Sequence, residues 1–155
     1  MSFQNIILIL QTVGPFTVLI TVYFLVTELR EQNRVARANA RQNIADSHQK
    51  VALAGMKPIL VDTKIKLRNN EELSKKENAV YLTYFSVMLR ARENQYYQFK
   101  IGMLDEDEWN AMLISFKTLF KEPKHLEIWD FIKITFAEDF AELVDEQIKQ
   151  SKLYG

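Results

Sequence analysis

The sequence contains no cysteine, and this absence excludes several kinds of chemistry together. Disulfide bonds, thiolate metal sites, cysteine nucleophiles and palmitoylation all require the thiol group. Histidine is almost as scarce, with only His48 and His125, so a histidine-rich metal site is excluded as well. The 20 basic and 20 acidic residues leave no net charge. The chain as a whole therefore has no electrostatic attraction to nucleic acid.

Glycine is also rare, with four residues, and none belongs to a G-x-x-x-x-G-K phosphate loop or a G-x-S-x-G elbow. A carboxylate di-metal site in a helical bundle needs repeated Glu-x-x-His pairs. Only one such pair occurs, Glu122 with His125, and the second pair that the site needs is missing. We therefore predict no catalytic, cofactor-binding or metal-binding residues, no cofactor, and a protein that is not an enzyme.

A long uncharged run, IILILQTVGPFTVLITVYFLV, occupies residues 6–26. At about 1.5 Å per residue a helix of this length spans roughly 30 Å, the thickness of a bilayer core. A buried core helix of a soluble protein is the alternative. A cleaved signal peptide fits less well, because no basic residue precedes the run and no small-residue cleavage site follows it. Residues 1–27 are predicted to form one transmembrane helix.

Four arginines follow this run, at Arg30, Arg34, Arg37 and Arg41. The positive-inside rule predicts a periplasmic N-terminus and a cytoplasmic C-terminal domain, anchored in a bacterial inner membrane. Their spacing of 4, 3 and 4 places them on one side of a helix, where we expect contact with anionic lipid headgroups. No aromatic residue alternates with these arginines, so nucleic acid is not a predicted partner.

Polar side chains within the apolar run are the next feature. Threonines such as Thr12 and Thr21 can bond to carbonyl groups of their own helix. Gln11 needs a partner on a neighbouring helix, or water at the membrane surface. In a ring of several copies, Gln11, Thr12 and Thr21 would instead face a lumen. That arrangement is the basis of an alternative function, a homo-oligomeric pore or channel-like assembly.

Residues 28–55 contain many strong helix formers and no glycine before Gly55, which predicts a juxtamembrane helix continuous with the apolar run. One side of it carries a stripe close to a seven-residue repeat, here named the small-residue stripe: Leu29, Asn33, Ala36, Ala40 and Asn43. This face either lies on the C-terminal domain of its own chain or joins two copies, with the asparagines determining register. The sequence leaves both interpretations open.

Residues 56–155 show helical periodicity and no useful length of strand alternation, which predicts a cytoplasmic bundle of four or five helices. Pro58 begins a short helix that ends near Arg68. Ser74 and Glu77 have the spacing of a capping box, and so do Asp105 and Glu108. Pro123 separates two further helices. The apolar positions assigned to the helix after Pro123 are Leu126, Ile128, Trp129, Ile132, Ile134 and Phe136.

A polar group interrupts the aromatic helix of this domain. Arg90, Glu93, Asn94 and Tyr97 share one face and lie among apolar residues. We interpret them as a structural ion pair with hydrogen bonds, the alternative being a perturbed acid or base. His48 and His125 are expected to be solvated or to cap a helix.

Three segments together resemble a widespread bacterial family: ELREQNRVARANARQ after the apolar run, ENQYYQFKIGMLDEDEW, and the late IWDF and FAEDF elements. The resemblance implies one N-terminal membrane helix and a small helical cytoplasmic domain, and it implies no activity. The sequence thus predicts a membrane-anchored, non-enzymatic scaffold or assembly subunit. Its expected partners are the lipid bilayer and further copies of itself, with an unidentified membrane protein as a further candidate.

Overall fold

A computed structural model describes residues 3–153, without the side chains at positions 5, 6, 8–10, 117, 152 and 153. Within residues 3–153 the secondary structure is helical and includes no strand, so the all-α prediction is confirmed. The helices are α1 (Phe3–Gly55), α2 (Pro58–Arg68), α3 (Lys75–Lys100), α4 (Glu106–Leu119), α5 (Pro123–Ile132) and α6 (Glu138–Leu153). A 3₁₀ turn, Lys133–Thr135, follows α5.

Helix α1 has the length expected from the sequence, and it continues through Pro15 to Gly55. The chain divides into two compact units, Met1–Asn39 and Ala40–Gly155. In the first unit the described side chains are exposed, apart from the partly covered Gly14. The segment boundaries that the sequence predicts after residues 27 and 55 stay predictions.

The start of α3 is the best-defined helix boundary in the second unit. The Ser74 hydroxyl accepts a hydrogen bond from the Glu77 amide, and Glu77 accepts one from the Ser74 amide at 2.8 Å, so the predicted capping box is confirmed. Lys66 of α2 donates to Glu77 at 2.8 Å. This bond and the two cap bonds lower the pKa of Glu77 to about 2. The cap therefore also connects α2 to α3.

The capping box predicted at the start of α4 is wrong. Asp105 is the N-cap residue, but its side chain makes no capping hydrogen bond. The guanidinium of Arg41 lies 2.6 Å from the Asp105 carboxylate and 3.0 Å from that of Glu108. Because a guanidinium presents several charged donors, it attracts both carboxylates away from the backbone amides.

Aromatic side chains from α3 to α6 form the core of the second unit. Its fully covered members include Phe85, Phe116, Trp129 and Phe140. The indole nitrogen of Trp129 donates to Asp145 at 2.7 Å, which satisfies the one polar atom that this large ring buries.

One predicted core position is wrong. Ile134 is 86% exposed. Helix α5 ends at Ile132, and the tighter 3₁₀ turn that follows changes the direction of the side chains. Phe136, two residues later, is buried as predicted.

Candidate functional site

The apolar N-terminal segment is the first candidate for function. Within residues 3–153 there is one helix long and apolar enough to cross a membrane. Its most apolar window has a mean hydropathy of 1.6, and none of that window is buried. A core helix of a soluble protein would be covered by its own chain, so that alternative does not fit. The large side chains Phe16, Leu19, Tyr23 and Phe24 are all more than half exposed.

The threonines of this segment satisfy their own hydroxyl groups. Thr17 donates to the Val13 carbonyl at 3.2 Å, and Thr21 donates to the Thr17 carbonyl at 2.8 Å. Such bonds within a helix remove the need for an external acceptor. Gln11 and Thr12 are exposed.

The four arginines of the predicted membrane-surface stripe differ in their partners. Arg34 pairs with Glu31 one turn earlier, at 2.7 Å. Arg41 binds the two carboxylates at the start of α4, as described above. Arg30 and Arg37 are exposed. Contact of this stripe with lipid headgroups stays a prediction. The charge of Arg41 is already paired with the carboxylates of Asp105 and Glu108, so Arg41 would contribute less to such contact than an unpaired arginine.

The small-residue stripe also divides into two parts. Leu29, Asn33, Ala36 and Asn43 are exposed. Ala40 is only 8% exposed, and Ile44 one turn later is equally covered. The methyl group of Ala40 therefore packs inside its own chain, as the first of the two sequence interpretations expects for this position. Association between copies through the other four residues stays a prediction.

The polar group on α3 contains an ion pair that connects two parts of the domain. Arg90 lies 2.7 Å from Glu93. Its second nitrogen donates to Thr135 in the 3₁₀ turn, and its guanidinium lies 3.9 Å from the centre of the Phe136 ring. The other oxygen of Glu93 accepts the amide hydrogen of Ala137 at 2.8 Å. Because Ala137 directly precedes α6, this pair holds the start of α6 against α3.

The remaining two members of that group have a different environment. Tyr97 is 57% exposed, and Asn94 is exposed as well. Both line an open depression of about 440 Å³ beside Arg90 and Glu93. The structure thus brings the four residues to one place but joins only Arg90 and Glu93 directly.

His48 is not solvated, so the sequence expectation for it is wrong. The ring is half-buried, and the Gln95 side-chain oxygen lies 3.0 Å from both His48 Nε2 and Arg92 Nη1. Burial lowers the pKa of His48, and the positive charge of Arg92 lowers it further. The three residues form a polar contact between the end of α1 and the middle of α3.

His125 is likewise an internal residue, and its solvated alternative is wrong. Nδ1 lies 2.6 Å from the Leu119 carbonyl at the end of α4, and the ring stacks on Phe85 with a centroid distance of 4.5 Å. A carbonyl only accepts, so Nδ1 carries the hydrogen. Burial lowers the pKa of His125, which favours the neutral ring. The predicted capping role does fit this geometry, since His125 binds a terminal carbonyl of α4.

These histidine contacts could not be found from sequence spacing. His48 and Gln95 are 47 positions apart, and Tyr81 and His125 are 44 apart. The only local signal is the three-residue spacing of Arg92 and Gln95, which places them on one face of α3. Among the described residues there is no group of three or more histidine or acidic side chains that could hold a metal ion.

Comparison with known proteins finds no match of this chain to a family model, a curated protein or a solved structure. The resemblance to the bacterial family therefore stays a prediction.

Proposed function

We propose that this chain is a non-enzymatic, membrane-anchored scaffold or assembly subunit at the cytoplasmic face of a bacterial inner membrane. The observation that supports the proposal is that the most apolar stretch of α1 is not buried by any other part of the described chain. Transfer of exposed apolar surface from water into lipid is favourable, and a helix satisfies its own backbone groups there. The segment supplies the length, the hydropathy and the exposed side chains that a membrane anchor needs.

The charges beside the anchor support the proposed orientation. Arg30, Arg34 and Arg37 follow the apolar segment within three helical turns, and the described residues before it carry no charged side chain. Lysine and arginine near a membrane helix favour the cytoplasmic side, and they attract anionic headgroups.

The proposed assembly uses the exposed part of the small-residue stripe. Leu29, Asn33 and Ala36 lie on one side of α1 at near-heptad spacing and are uncovered in the single chain. Small side chains let two helices approach closely, and asparagines can pair across such a contact. We leave Ala40 out of this surface because it is covered by its own chain.

A pore is a weaker candidate than a scaffold. It would need a polar inner surface made by Gln11, Thr12 and Thr21. Thr21 already donates its hydroxyl hydrogen to the Thr17 carbonyl, so it has no need of lumen water. We therefore retain the scaffold as the proposed function.

Alkaline extraction of membranes followed by native mass spectrometry tests this proposal. We expect the full chain to stay with the membrane pellet, to be released by detergent, and to appear as multiples of one chain mass, with or without a second membrane protein. Replacing Ile20 and Phe24 by Asp should move it to the soluble fraction, because charges are costly in a bilayer core.

The matched control replaces Ile114 and Phe131 by Asp, since these exposed side chains lie outside α1. This variant should stay with the membrane. Recovery of the native chain in the soluble fraction would contradict the anchor, and a strictly monomeric mass in gentle detergent would contradict the assembly role.

A further inference from the structure

An open groove of about 570 Å³ lies between the end of α1, the start of α2 and the middle of α3. Its walls are mainly aliphatic, with Val51 and Ala54 from α1, Ile59 from α2, and Val80 and Val87 from α3. All five remain partly or largely exposed. The groove lies wholly within residues 47–87 of the second unit.

The α3 wall of this groove extends beyond the side of α3 that forms the core, although Val80 and Tyr84 of the wall also pack against the core. Tyr81, Phe85 and Leu89 are buried, whereas Val87 is 54% exposed. At 100° per residue, Val87 lies on the opposite side of the helix from Phe85. Exposed valine on a helix face that the core does not use is apolar surface left without a partner.

The charged side chains that line the groove have one sign. Lys50 and Lys57 line it, and its lining includes no acidic side chain. Both lysines are exposed, and neither forms an ion pair with another described residue. A ligand with an apolar body and a negatively charged end would complement both the aliphatic walls and the two lysines.

The groove has room for one long hydrocarbon chain. At about 30 Å³ for each water-sized group, 570 Å³ holds on the order of 20 groups. A long-chain fatty acid has about this many non-hydrogen atoms. The volume also lies within the range of roughly 300–1,000 Å³ that is usual for small-molecule sites.

We propose that this groove binds a long-chain fatty acid, with its carboxylate between Lys50 and Lys57 and its acyl chain along Val51, Val80 and Val87. Lysine ammonium groups form charge-assisted hydrogen bonds with a carboxylate. The aliphatic walls remove the acyl chain from water. This inference does not depend on the proposed membrane anchor, because every residue that carries it belongs to the second unit.

Photolabelling tests the proposal with the full chain in nanodiscs of zwitterionic phosphatidylcholine, at about pH 8, where carboxylates are ionised and lysines protonated. The probe is palmitate that carries a diazirine. We expect labelled peptides from residues 47–60 and 79–87. Unlabelled palmitate should compete, and hexadecanol, which has the same chain without the charge, should not. A parallel reaction with diazirine-labelled phosphatidylglycerol distinguishes a two-chain lipid, which should label these peptides weakly.

Two groove variants and matched controls make the test specific. Lys50→Glu with Lys57→Glu should lower labelling by about tenfold or more, because two charge-assisted contacts with the carboxylate are lost and replaced by like charges. Val87→Glu should also lower it. The controls are Ile114→Glu and the pair Lys121→Glu with Lys149→Glu, which change exposed residues outside the groove. The probe should label these control variants as strongly as the native chain. Circular dichroism should show equal helicity for all variants.

Three results would overturn the proposal. Labelling spread over other peptides would show partition into the bilayer only. Equal competition by hexadecanol would show that the lysines do not bind the carboxylate. Absence of labelling together with disulfide-linked dimers of a Val87→Cys variant would show that a second copy of the chain covers the groove.

Discussion

The hydroxyl of Tyr81 lies 2.7 Å from Nε2 of His125, and the two rings are nearly parallel. Because Nδ1 of His125 donates to the Leu119 carbonyl, the neutral ring accepts at Nε2 and Tyr81 is the donor. Burial raises the pKa of Tyr81 to about 12, so the phenol keeps this hydrogen at all ordinary pH values. A protonated His125 would place two donors against each other.

We expect mild acid to destabilise the second unit through its histidines. The pKa values of His48 and His125 both lie below 6.5 in the folded chain and return to about 6.5 on unfolding. The unfolded state therefore binds more protons as pH falls below 6.5. The free energy of unfolding should decline below that pH until the folded rings titrate, and the histidines should contribute no change well above it. Urea unfolding, followed by the fluorescence of the buried Trp109 and Trp129, measures this.

The variants His48→Gln and His125→Asn separate the two contributions. Each should reduce the slope of unfolding free energy between about pH 6.5 and 5, and the double variant should nearly abolish it. Lowered carboxylate pKa values, such as that of Glu77, act in the same direction only below about 4.5. An unchanged slope in the double variant would show that neither ring is held neutral by the fold.

Loss of the Glu93 carboxylate should weaken the attachment of α6. We expect Glu93→Ala to lower the free energy of unfolding by about 1.5–3 kcal/mol, because the half-buried side chain binds both a guanidinium and the Ala137 amide. Glu93→Gln keeps an acceptor and should cost less. Arg90→Met should cost about 1 kcal/mol, since its side chain is 46% exposed.

Glu127→Gln is the matched control for these variants. Glu127 also pairs with a cation three residues away, Lys124, but its side chain is 70% exposed and binds no backbone amide in the described part of the chain. We expect a change within about 0.5 kcal/mol. A cost of Glu93→Ala no larger than that of Glu127→Gln would show that the bonds of Glu93 to Arg90 and to the Ala137 amide contribute little.

Cysteine crosslinking tests the proposed assembly surface, and the native chain has no cysteine to interfere. Ala36→Cys should form disulfide-linked dimers in membranes, and Arg37→Cys should form fewer because it lies beside the stripe. The sequence pattern predicts a link for Ala40→Cys as well, but the 8% exposure of Ala40 predicts almost none. Equal crosslinking at all three positions would mean that this stripe is not an interface.

Reporter fusions test the orientation. A fluorescent protein fused after Gly155 should fold and fluoresce, and alkaline phosphatase at the same position should be inactive, because that enzyme needs the periplasm. Replacing Arg30, Arg34 and Arg37 by Gln while adding lysines at the N-terminus should raise the phosphatase activity. Strong phosphatase activity of the unaltered chain would reverse the proposed topology.

The sequence by itself determined the helices and most of their ends. Three features set these ends: Pro58, the Ser74 capping box and the uninterrupted run to Gly55. Each acts through contacts within about four residues, so each can be predicted from the sequence. The apolar run of residues 6–26 is equally local, since length and hydropathy are enough to mark a candidate membrane span. The capping box predicted from local spacing at Asp105 was wrong, because Arg41 of α1 binds the carboxylates of Asp105 and Glu108 instead.

Only the tertiary structure decided which polar residues pair between helices. Arg41 lies 64 positions from Asp105, and Glu93 lies 44 from Ala137. Both histidines looked like surface residues because the groups that bury them belong to other helices. The groove lined by Lys50 and Lys57 could not be predicted for the same reason. In the sequence of each helix, its aliphatic residues look like ordinary core positions. They form an open cleft because side chains of α1, α2 and α3 meet there without filling the space between the helices.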